Sequence, residues 1–466
     1  MLYEPNTDKL AEECGVFGIY GKNIDLASKA YFGIFSLQHR GQESAGIAVS
    51  DGEDLISFKG QGLVSDVFTE DVLASLRRKK DIVAVAHSRY STAGGKGIIN
   101  AQPLVARYLN GGMALAHNGN LVNAGSIRRE LEQEGYFFQT DSDTECILNI
   151  VARYRCKGPE YALQQVVNRV KGAYSVTMIF DNKLIGLRDP DGIRPLCLGK
   201  LGEAYVLASE SCALTTIGAE LIRDVEPGEL VIIDENGITS KKIAQKKNKG
   251  GLCIFEYIYF ARPDSTINGK SVYKTREEMG RVLAKQYPVE ADIVTPVPDS
   301  GRSAAVGFAE ESGIKFTEGL IKNRYVARTF IAPDQEQREL KVRLKLSPIP
   351  EVFEGKRVVL VDDSIVRGTT IKSLINIIKS AGAKEVHVRV SSPPYISPCF
   401  YGIDIPNDED LIAASYTPEQ ICEYIGADSL NYINIEGLMK AVKGQATDYC
   451  TACFTGNYFA GRIGDD

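Results

Sequence analysis

The strand–loop–helix segment at residues 358–370 constrains the fold of this 466-residue chain more than any other stretch. Its apolar half predicts a buried strand that ends in two adjacent aspartates, Asp362 and Asp363. A short polar loop then leads directly into a helical pattern. An ordinary helix cap with solvated aspartates is the plain alternative, but a cap requires neither the aspartate pair nor the Arg367-Gly368 step. Continuous apolar strands joined by helices indicate a parallel α/β sheet.

The same loop has the chemistry of a phosphate site. The N–H groups and partial positive charge of a helix N-terminus attract phosphate, and Gly368 allows close backbone approach. Arg367 adds a cation, and Thr369 and Thr370 add hydroxyl donors. Two carboxylates at the end of a strand suit ribose hydroxyls or a bound Mg²⁺.

This segment resembles the signature loop of type I phosphoribosyltransferases. The resemblance implies that Asp362 and Asp363 contact the ribose hydroxyls and the metal, and that the loop from Ser364 to Thr370 holds the 5′-phosphate. Residues 297–301 resemble the pyrophosphate loop of that group, with Asp299 and Ser300 near Mg²⁺, although Pro-Asp-Ser-Gly is also a common turn. The basic stretches 322–330 and 341–345 resemble the group's mobile lid, with a solvated surface loop as the alternative.

The first half of the chain has a different rhythm. From residue 14 to about 235, short β-branched runs alternate with Gly- and Asn-containing turns, and long helical patterns are few. This predicts antiparallel sheets with some covering helices, including strands at 15–20, 82–86, 174–180 and 229–234. A lysine-rich patch at 241–249 predicts an exposed connection. Beyond about 275, strands at 293–298, 357–361 and 385–390 alternate with helices.

Cys14 precedes the first predicted strand, and four compact polar segments follow it. These segments lie at residues 38–46, 87–94, 116–120 and 139–145. Together they resemble the glutaminase domain of class II amidotransferases, which are N-terminal nucleophile hydrolases. In that family the cysteine must be the first residue of the mature chain, because a free α-amino group can act as a base at neutral pH. The resemblance therefore implies a propeptide at 1–13 and self-cleavage before Cys14.

Carried over by position, four further residues would serve this glutaminase. Asn118 and the N–H of Gly119 would form the oxyanion hole. Arg89 would bind the α-carboxylate of glutamine, and Asp143 its α-ammonium group. A structural ion pair is the alternative for the latter two. A Ser-His or Cys-His triad using His39 or His87, two of the four histidines, is the chemical alternative.

Four of the ten cysteines are candidates for a metal cluster. Cys450 and Cys453 form the one C-x-x-C pair, which alone is weak evidence. Cys253 and Cys399 match two further ligand contexts of cluster-bearing phosphoribosyl amidotransferases. Four thiolates suit a 4Fe–4S cluster, and zinc is the alternative. The remaining cysteines besides Cys14 are interpreted as structural: Cys146, Cys156, Cys197, Cys212 and Cys422.

The chain from residue 14 to about 454 resembles glutamine phosphoribosylpyrophosphate amidotransferases of the propeptide- and iron–sulfur-containing type. The resemblance implies an α+β N-terminal nucleophile hydrolase domain at 14–240, followed by an α/β phosphoribosyltransferase domain with a parallel sheet and a cluster-binding tail at 253–454. It also implies a pentosyltransferase that passes ammonia from glutamine to C1 of phosphoribosyl pyrophosphate, at the start of purine synthesis. Mg²⁺, a 4Fe–4S cluster, feedback inhibition by purine nucleotides and a homotetramer are expected with it.

The bulk properties of the chain exclude some other classes. A net charge of −6 and a pI of about 5.6 argue against a nucleic-acid partner. No apolar run approaches the roughly 20 residues that span a bilayer, and the start of the chain is acidic, so a cytoplasmic location is expected. Three rival functions stay open at this point: a non-catalytic phosphoribosyl-diphosphate sensor, a plain glutamine hydrolase, and a structural iron–sulfur or zinc protein.

Overall fold

The computed structural model describes residues 14–90, 97–109, 111–245, 250–323, 346–403, 409 and 411–463. The predicted propeptide, all but residues 322–323 of the two basic stretches, and part of the lysine-rich patch lie outside these ranges. Antiparallel sheets come first along the chain and a parallel sheet follows, so the predicted fold class is confirmed.

The N-terminal half consists of two antiparallel sheets with helices outside them. Its described strands are β1 Gly15–Tyr20, β2 Ser44–Ser50, β3 Leu55–Gln61, β4 Val83–Arg89, β5 Leu104–Tyr108, β6 Gly111–Leu121, β7 Gly172–Phe180, β8 Lys183–Arg188, β9 Cys197–Leu201, β10 Ala204–Ala208, β11 Glu220–Asp224, β12 Glu229–Asp234 and β13 Gly237–Lys242. One sheet has the order β11-β9-β10-β1-β4-β2-β3, and the other β13-β12-β8-β7-β6-β5. The four predicted strands correspond to β1, β4, β7 and β12.

Helices cover the outer faces of both sheets. They are α1 Leu26–Ser36, α2 Val64–Val67, α3 Glu70–Leu76, α4 Ala124–Gln133, α5 Thr144–Tyr154, α6 Pro159–Arg169 and α7 Ser211–Ile217. Apolar residues of β1, β4, β6, β7 and β8 fill the space between the sheets. Four of the helices span ten or eleven residues, which is longer than the sequence pattern indicated. In α4 only Ile127 and Leu131 are buried, so its periodic signal is weak.

The C-terminal half is built on a five-stranded parallel sheet. Its described strands are β14 Leu252–Cys253, β15 Thr266–Ile267, β16 Lys270–Ser271, β17 Ile293–Pro296, β18 Lys315–Phe316, β19 Leu320–Lys322, β20 Leu346–Pro348, β21 Arg357–Asp362, β22 Glu385–Val390, β23 Ser429–Tyr432 and β24 Tyr449–Cys450. The parallel sheet has the order β18-β17-β21-β22-β23. The three predicted strands are present as β17, β21 and β22, and β17 ends two residues before its predicted end.

Helices follow the strands of this half, as α/β alternation requires. They are α8 Val272–Gln286, α9 Arg302–Ser312, α10 Pro350–Phe353, α11 Thr369–Ser380, α12 Ile412–Ser415, α13 Pro418–Ile425, α14 Ile435–Ala441 and α15 Ala452–Thr455. A π-helical turn spans Glu256–Phe260, and short 3-10 turns span Ile98–Asn100, Arg155–Lys157 and Ala446–Asp448. Among the described helices, none is both long and apolar enough to cross a membrane.

The two halves share a buried interior. Val122, Ala173 and Ile193 of the N-terminal half belong to the same apolar cluster as Phe255 and Phe308 of the C-terminal half. The parallel pair β14–β24 lies in this cluster and joins the beginning of the C-terminal half to its end. The interface between the halves therefore resembles the core of a single domain. We expect the two halves to move together rather than independently.

A buried ion network also crosses this interface. The guanidinium of Arg40 contacts the carboxylates of Glu210 and Glu256, and all three side chains are fully buried. Glu210 also accepts a hydrogen bond from the Ser265 hydroxyl at 2.6 Å. Burial opposes ionisation of Glu210, but the charges of Arg40 and His39 and its hydrogen bonds together hold its pKa well below the ordinary value.

The cysteines interpreted as structural do not all lie in cores. Cys146, Cys197 and Cys212 are buried, and Cys422 is half-buried. Cys156 is exposed in the short 3-10 turn after α5, so its thiol contributes to no core. The sequence gives no apolar periodicity around it that would have indicated burial or exposure.

Candidate active sites

The Cys14 thiol lies at the beginning of β1, against the end of β4. The thiol is buried and donates a hydrogen bond to the carbonyl oxygen of Tyr90 at 3.3 Å. Burial raises the pKa of the Cys14 thiol to about 11, while the charge of Arg89 acts in the opposite direction. The thiol is therefore protonated at neutral pH, and nucleophilic attack requires a base beside it.

Three charged side chains act on this thiol. Arg89 at the end of β4 lowers its pKa, and Asp143 and Glu43 raise it. The Nη1 atom of Arg89 lies 3.7 Å from Oε1 of Glu43. The Asp143 carboxylate, just before α5, accepts a hydrogen bond from the Leu121 N–H at 2.9 Å. Among the described residues, Arg89 and Asp143 do not pair with each other. Oδ1 of Asp143 lies 3.8 Å from Nδ1 of His117. Arg89 stands beside Glu43, so a structural ion pair stays the alternative for both Arg89 and Asp143.

Glu43 is a charged residue of this site that the sequence analysis did not single out. It lies in the polar segment 38–46, directly before β2, and its N–H donates to the carbonyl oxygen of Arg89 at 3.0 Å. Glu43 lies in a polar segment that is typical of a binding site, and this was the signal that could have identified it. However, a glutamate at the start of a strand is usually solvated.

Asn118 and Gly119 lie next to each other on β6. Gly119 has a φ of +141°, and a Cβ there would stand 2.0 Å from the carbonyl oxygen of Ala173, so no other residue fits. The side chain of Asn118 is buried, and both its amide oxygen and its amide nitrogen lack a hydrogen-bond partner among the described residues. A buried amide without partners costs about 1–3 kcal/mol for each unsatisfied group, so this site is suited to a polar ligand.

The histidines do not form the cysteine–histidine pair considered above. The Nε2 atom of His39 contacts Oε1 of Glu210 at 2.7 Å. The Nε2 atom of His87 is 3.0 Å from the His117 carbonyl oxygen, and burial lowers the pKa of His87 to about 3. In the ranges that the structure covers, the one hydrogen-bond partner of the Cys14 thiol is the Tyr90 carbonyl.

The predicted phosphoribosyl loop lies at the carboxyl end of the parallel sheet. Asp362 ends β21, and Gly368, with a φ of +79°, directly precedes α11. Asp362 and Asp363 are both buried, and the N–H of Asp363 donates to Oδ1 of Asp362 at 2.9 Å. The N-terminus of the twelve-residue helix α11, with Thr369 and Thr370 as its first residues, therefore opens at the same edge as the carboxylate pair.

The structure brings the second predicted loop to the same edge. The Ser300 hydroxyl hydrogen-bonds to the carboxylate of Asp363, and the Ser364 hydroxyl donates to the same carboxylate at 2.7 Å. A Cβ on Gly301 would stand 2.4 Å from the carbonyl oxygen of Val361, so the loop packs tightly against β21. A cavity next to the loop is lined by Arg367 together with Leu411, Ile412, Tyr416 and Tyr424.

The four predicted cluster cysteines lie in one aromatic core. Cys253 on β14 stands opposite Cys450 on β24, and Cys453 lies in α15. The Cys399 thiol accepts a hydrogen bond from the Tyr401 N–H at 3.4 Å. Burial raises the pKa of Cys253, Cys450 and Cys453, and the neighbouring cysteines raise it further. Across the described ranges, no three or more His, Cys, Asp or Glu side chains converge closely enough to hold a metal ion.

Comparison with known proteins agrees with this two-site arrangement. The family model of the glutamine amidotransferase domain matches residues 87–216, and that of the phosphoribosyl transferase domain matches residues 274–392. The amidophosphoribosyltransferase of Methanocaldococcus jannaschii is 49% identical over 462 residues, which cover 96% of this chain and 97% of the relative. That of Archaeoglobus fulgidus is 52% identical over 450 residues, with coverage of 96% and 97%.

Solved structures give the same result. The glutamine phosphoribosylpyrophosphate amidotransferase of Bacillus subtilis, complexed with ADP and GMP, superposes with a TM-score of 0.89 at 48% identity. The match covers 97% of this chain and 98% of that one. The chain therefore belongs to the amidophosphoribosyltransferase family.

Proposed function

We propose that Cys14 is the nucleophile with which this chain performs the reaction of its family. An amidophosphoribosyltransferase hydrolyses glutamine to glutamate and ammonia and transfers the ammonia to C1 of phosphoribosyl pyrophosphate, giving 5-phosphoribosylamine and pyrophosphate. The single observation that carries the proposal is one apolar cluster that contains both Ala173, which lies against Gly119, and Val361, the residue before Asp362. A phosphoribosyl-diphosphate sensor would need only the second of these sites, that of Asp362, and a structural metal protein would need neither.

Cleavage before Cys14 would supply the base that the thiol lacks. With a pKa of about 11, the thiol is almost entirely protonated at neutral pH. A free α-amino group has a pKa of roughly 7.7–8.0 and can accept the thiol proton, whereas a peptide nitrogen cannot. His39 and His87 have other partners, which supports a mature N-terminus at Cys14 as the base.

The neighbouring residues would then bind glutamine and its oxyanion. Asn118 would donate its side-chain amide, and Gly119 its N–H, to the tetrahedral intermediate, and each such donor typically contributes a few kcal/mol. The unsatisfied amide of Asn118 supports this role, because the substrate would complete its hydrogen bonds. Arg89 would bind the α-carboxylate and Asp143 the α-ammonium group, so each charged group on the α-carbon of glutamine would meet a side chain of opposite charge.

At the second site, the residues of two loops would bind phosphoribosyl pyrophosphate. Asp362 and Asp363 would hold the ribose hydroxyls, and Ser364, Arg367, Gly368, Thr369 and Thr370 would surround the 5′-phosphate at the start of α11. The contact between Ser300 and Asp363 supports a shared Mg²⁺ site of oxygen ligands at Ser300, Asp362 and Asp363. When bound, Mg²⁺ would neutralise charge on the departing pyrophosphate.

We further propose that Cys253, Cys399, Cys450 and Cys453 hold a 4Fe–4S cluster with a structural role. A cluster offers four separate iron atoms, so its ligands stand farther apart than the ligands of a single ion. Four thiols around one aromatic core fit such a group, because thiolates are the usual cluster ligands.

The proposed domains are 14–240 and 253–454. Purine nucleotides are proposed as inhibitors, since the Bacillus subtilis relative binds ADP and GMP. We also propose that the chain forms a homotetramer and that it is located in the cytoplasm.

Two variants test the assignment of the sites against each other. Cys14→Ala should abolish glutamine-dependent formation of phosphoribosylamine but leave ammonia-dependent formation intact. Asp362→Asn should reduce both activities, because the second site serves both nitrogen sources. Cys156→Ala changes an exposed thiol and serves as the matched control. Intact-mass measurement of the purified enzyme should give a chain that begins at Cys14. Retention of the glutamine-dependent activity by Cys14→Ala would refute the proposal.

A further inference from the structure

We infer that a loop of the C-terminal half, residues 399–402, is a brace that positions the oxyanion strand of the glutaminase site. Two residues bring the brace against Gly119. Gly402 belongs to the brace itself, and Asn120 follows Gly119 on β6. Neither residue is assigned a role in the reaction above, and both are positioning residues rather than catalytic ones. The inference rests on the proposed role of Asn118 and Gly119 as oxyanion donors.

Two contacts join the brace to β6. The side-chain N–H of Asn120 donates to the carbonyl oxygen of Phe400 at 2.9 Å. A Cβ built on Gly402 would stand 2.9 Å from the carbonyl carbon of Gly119 and 3.1 Å from its Cα. The backbone of the brace therefore lies directly against the peptide unit that follows the proposed oxyanion donor.

The brace is itself held from both halves of the chain. The Nε atom of the buried Arg194, between β8 and β9, donates to the carbonyl oxygen of Tyr401 at 3.0 Å. The hydroxyl of Tyr401 accepts a hydrogen bond from the Ala460 N–H at 2.8 Å. The ring of Tyr458 packs against that of Phe400 with their centroids 4.8 Å apart. These contacts make the brace a rigid support rather than a loop that touches β6 by chance.

A glycine that supplies an oxyanion donor needs such support. Glycine has more backbone freedom than any other residue, so the Gly119 peptide can rotate unless its surroundings prevent it. Donors to an oxyanion must be held within a fraction of an ångström, and loss of one donor typically reduces kcat by about 10²–10³. Because the donor acts mainly in the transition state, loosening the brace should lower kcat for glutamine hydrolysis more than it changes KM.

Gly402→Ala tests the brace directly. The new methyl group would press on Gly119, and a φ of +107° adds backbone strain. We expect kcat for glutamine hydrolysis to fall at least about tenfold, with KM for glutamine and ammonia-dependent synthesis within about twofold of the unchanged protein. Gly426→Ala is the matched control, because Gly426 has a φ of +74° and its Cβ would meet nothing within 4 Å.

Asn120→Ala provides a second variant that adds no bulk. It removes the hydrogen bond to Phe400 and should lower kcat in the same direction as Gly402→Ala. An aldehyde analogue of glutamine separates oxyanion binding from general damage. The Cys14 sulfur adds to the aldehyde carbon, the carbonyl π electrons move to oxygen, and the thiol proton passes to that oxygen, which gives a hemithioacetal. Affinity for this analogue should fall in proportion to kcat in both variants, while affinity for the product glutamate should stay unchanged.

The outcomes separate the brace from the oxyanion assignment. If Gly402→Ala and Asn120→Ala resemble Gly426→Ala, while Asn118→Ala loses activity, the brace is refuted and the oxyanion hole stands. If Asn118→Ala keeps full activity, the oxyanion assignment fails and the brace with it. If ammonia-dependent synthesis falls together with glutamine hydrolysis, the variants have damaged the whole fold and the positioning role is wrong.

Discussion

Replacing Arg40 by methionine removes a buried cation that connects the two halves of the chain. The guanidinium contacts the carboxylates of Glu210 and Glu256, and none of the three side chains is exposed to solvent. Methionine is apolar and leaves two buried carboxylates without their cation. Breaking a buried ion pair by removing one partner typically costs about 3–5 kcal/mol, so the free energy of unfolding should fall by about that amount.

Urea unfolding followed by circular dichroism measures this change without adding salt. Arg77→Met is the matched control, because Arg77 pairs with Glu70 at the surface, where their side chains are 38% and 74% exposed. Such a pair contributes about 0–1 kcal/mol. Adding Glu210→Gln alone to Arg40→Met should recover part of the loss, since this carboxylate then no longer stays buried without the Arg40 charge. If Arg40→Met lowers the free energy of unfolding no more than Arg77→Met does, the reasoning about the buried network is wrong.

The low pKa of Glu210 should make stability depend on acid. The ionised Glu210 carboxylate contributes its full stabilisation above its pKa in the unfolded chain, which is about 4.3. This contribution is lost as the pH falls through the lower pKa of the folded protein. Glu210→Gln should therefore make the free energy of unfolding depend less on pH in acid. In protein that carries residues 1–13, alkylation of Cys14 by iodoacetamide should accelerate about tenfold per pH unit from pH 7 towards 11, and a flat profile would contradict the buried neutral thiol. Ser300→Ala removes a hydroxyl that contacts Asp363 and should raise KM for phosphoribosyl pyrophosphate several-fold in initial-rate kinetics, without changing glutamine hydrolysis measured alone.

Local patterns in the sequence were sufficient to predict much of the fold. Continuous apolar runs identified β1, β12, β21 and β22 almost to the residue, because such runs are long enough to fix both the element and its burial. Only the resemblance to phosphoribosyltransferases related the Ser300 loop to the aspartate pair, and in the structure Ser300 contacts Asp363 at the edge where the parallel strands end. Helix α4 was less visible because most of its residues face solvent.

Interactions across the interface could not be read from the sequence. Arg40, Glu210 and Glu256 are charged, and single charged residues are usually exposed, so nothing in their surroundings indicated a buried network. The contact between Asn120 and Phe400 joins residues 280 positions apart. Such contacts depend on the docking of two complete sheets, which periodicity does not report.

The pairing of β14 with β24 has a consequence for how the chain is made. Cys253 and Cys450, which stand opposite each other, are separated by about 200 residues of synthesis. At roughly 5–20 residues per second, this separation corresponds to a delay on the order of 10–40 s on the ribosome. Throughout that interval one edge of β14 has no partner and the cysteine set is incomplete. Nascent chains that stall before residue 450 therefore leave β14 without its partner strand.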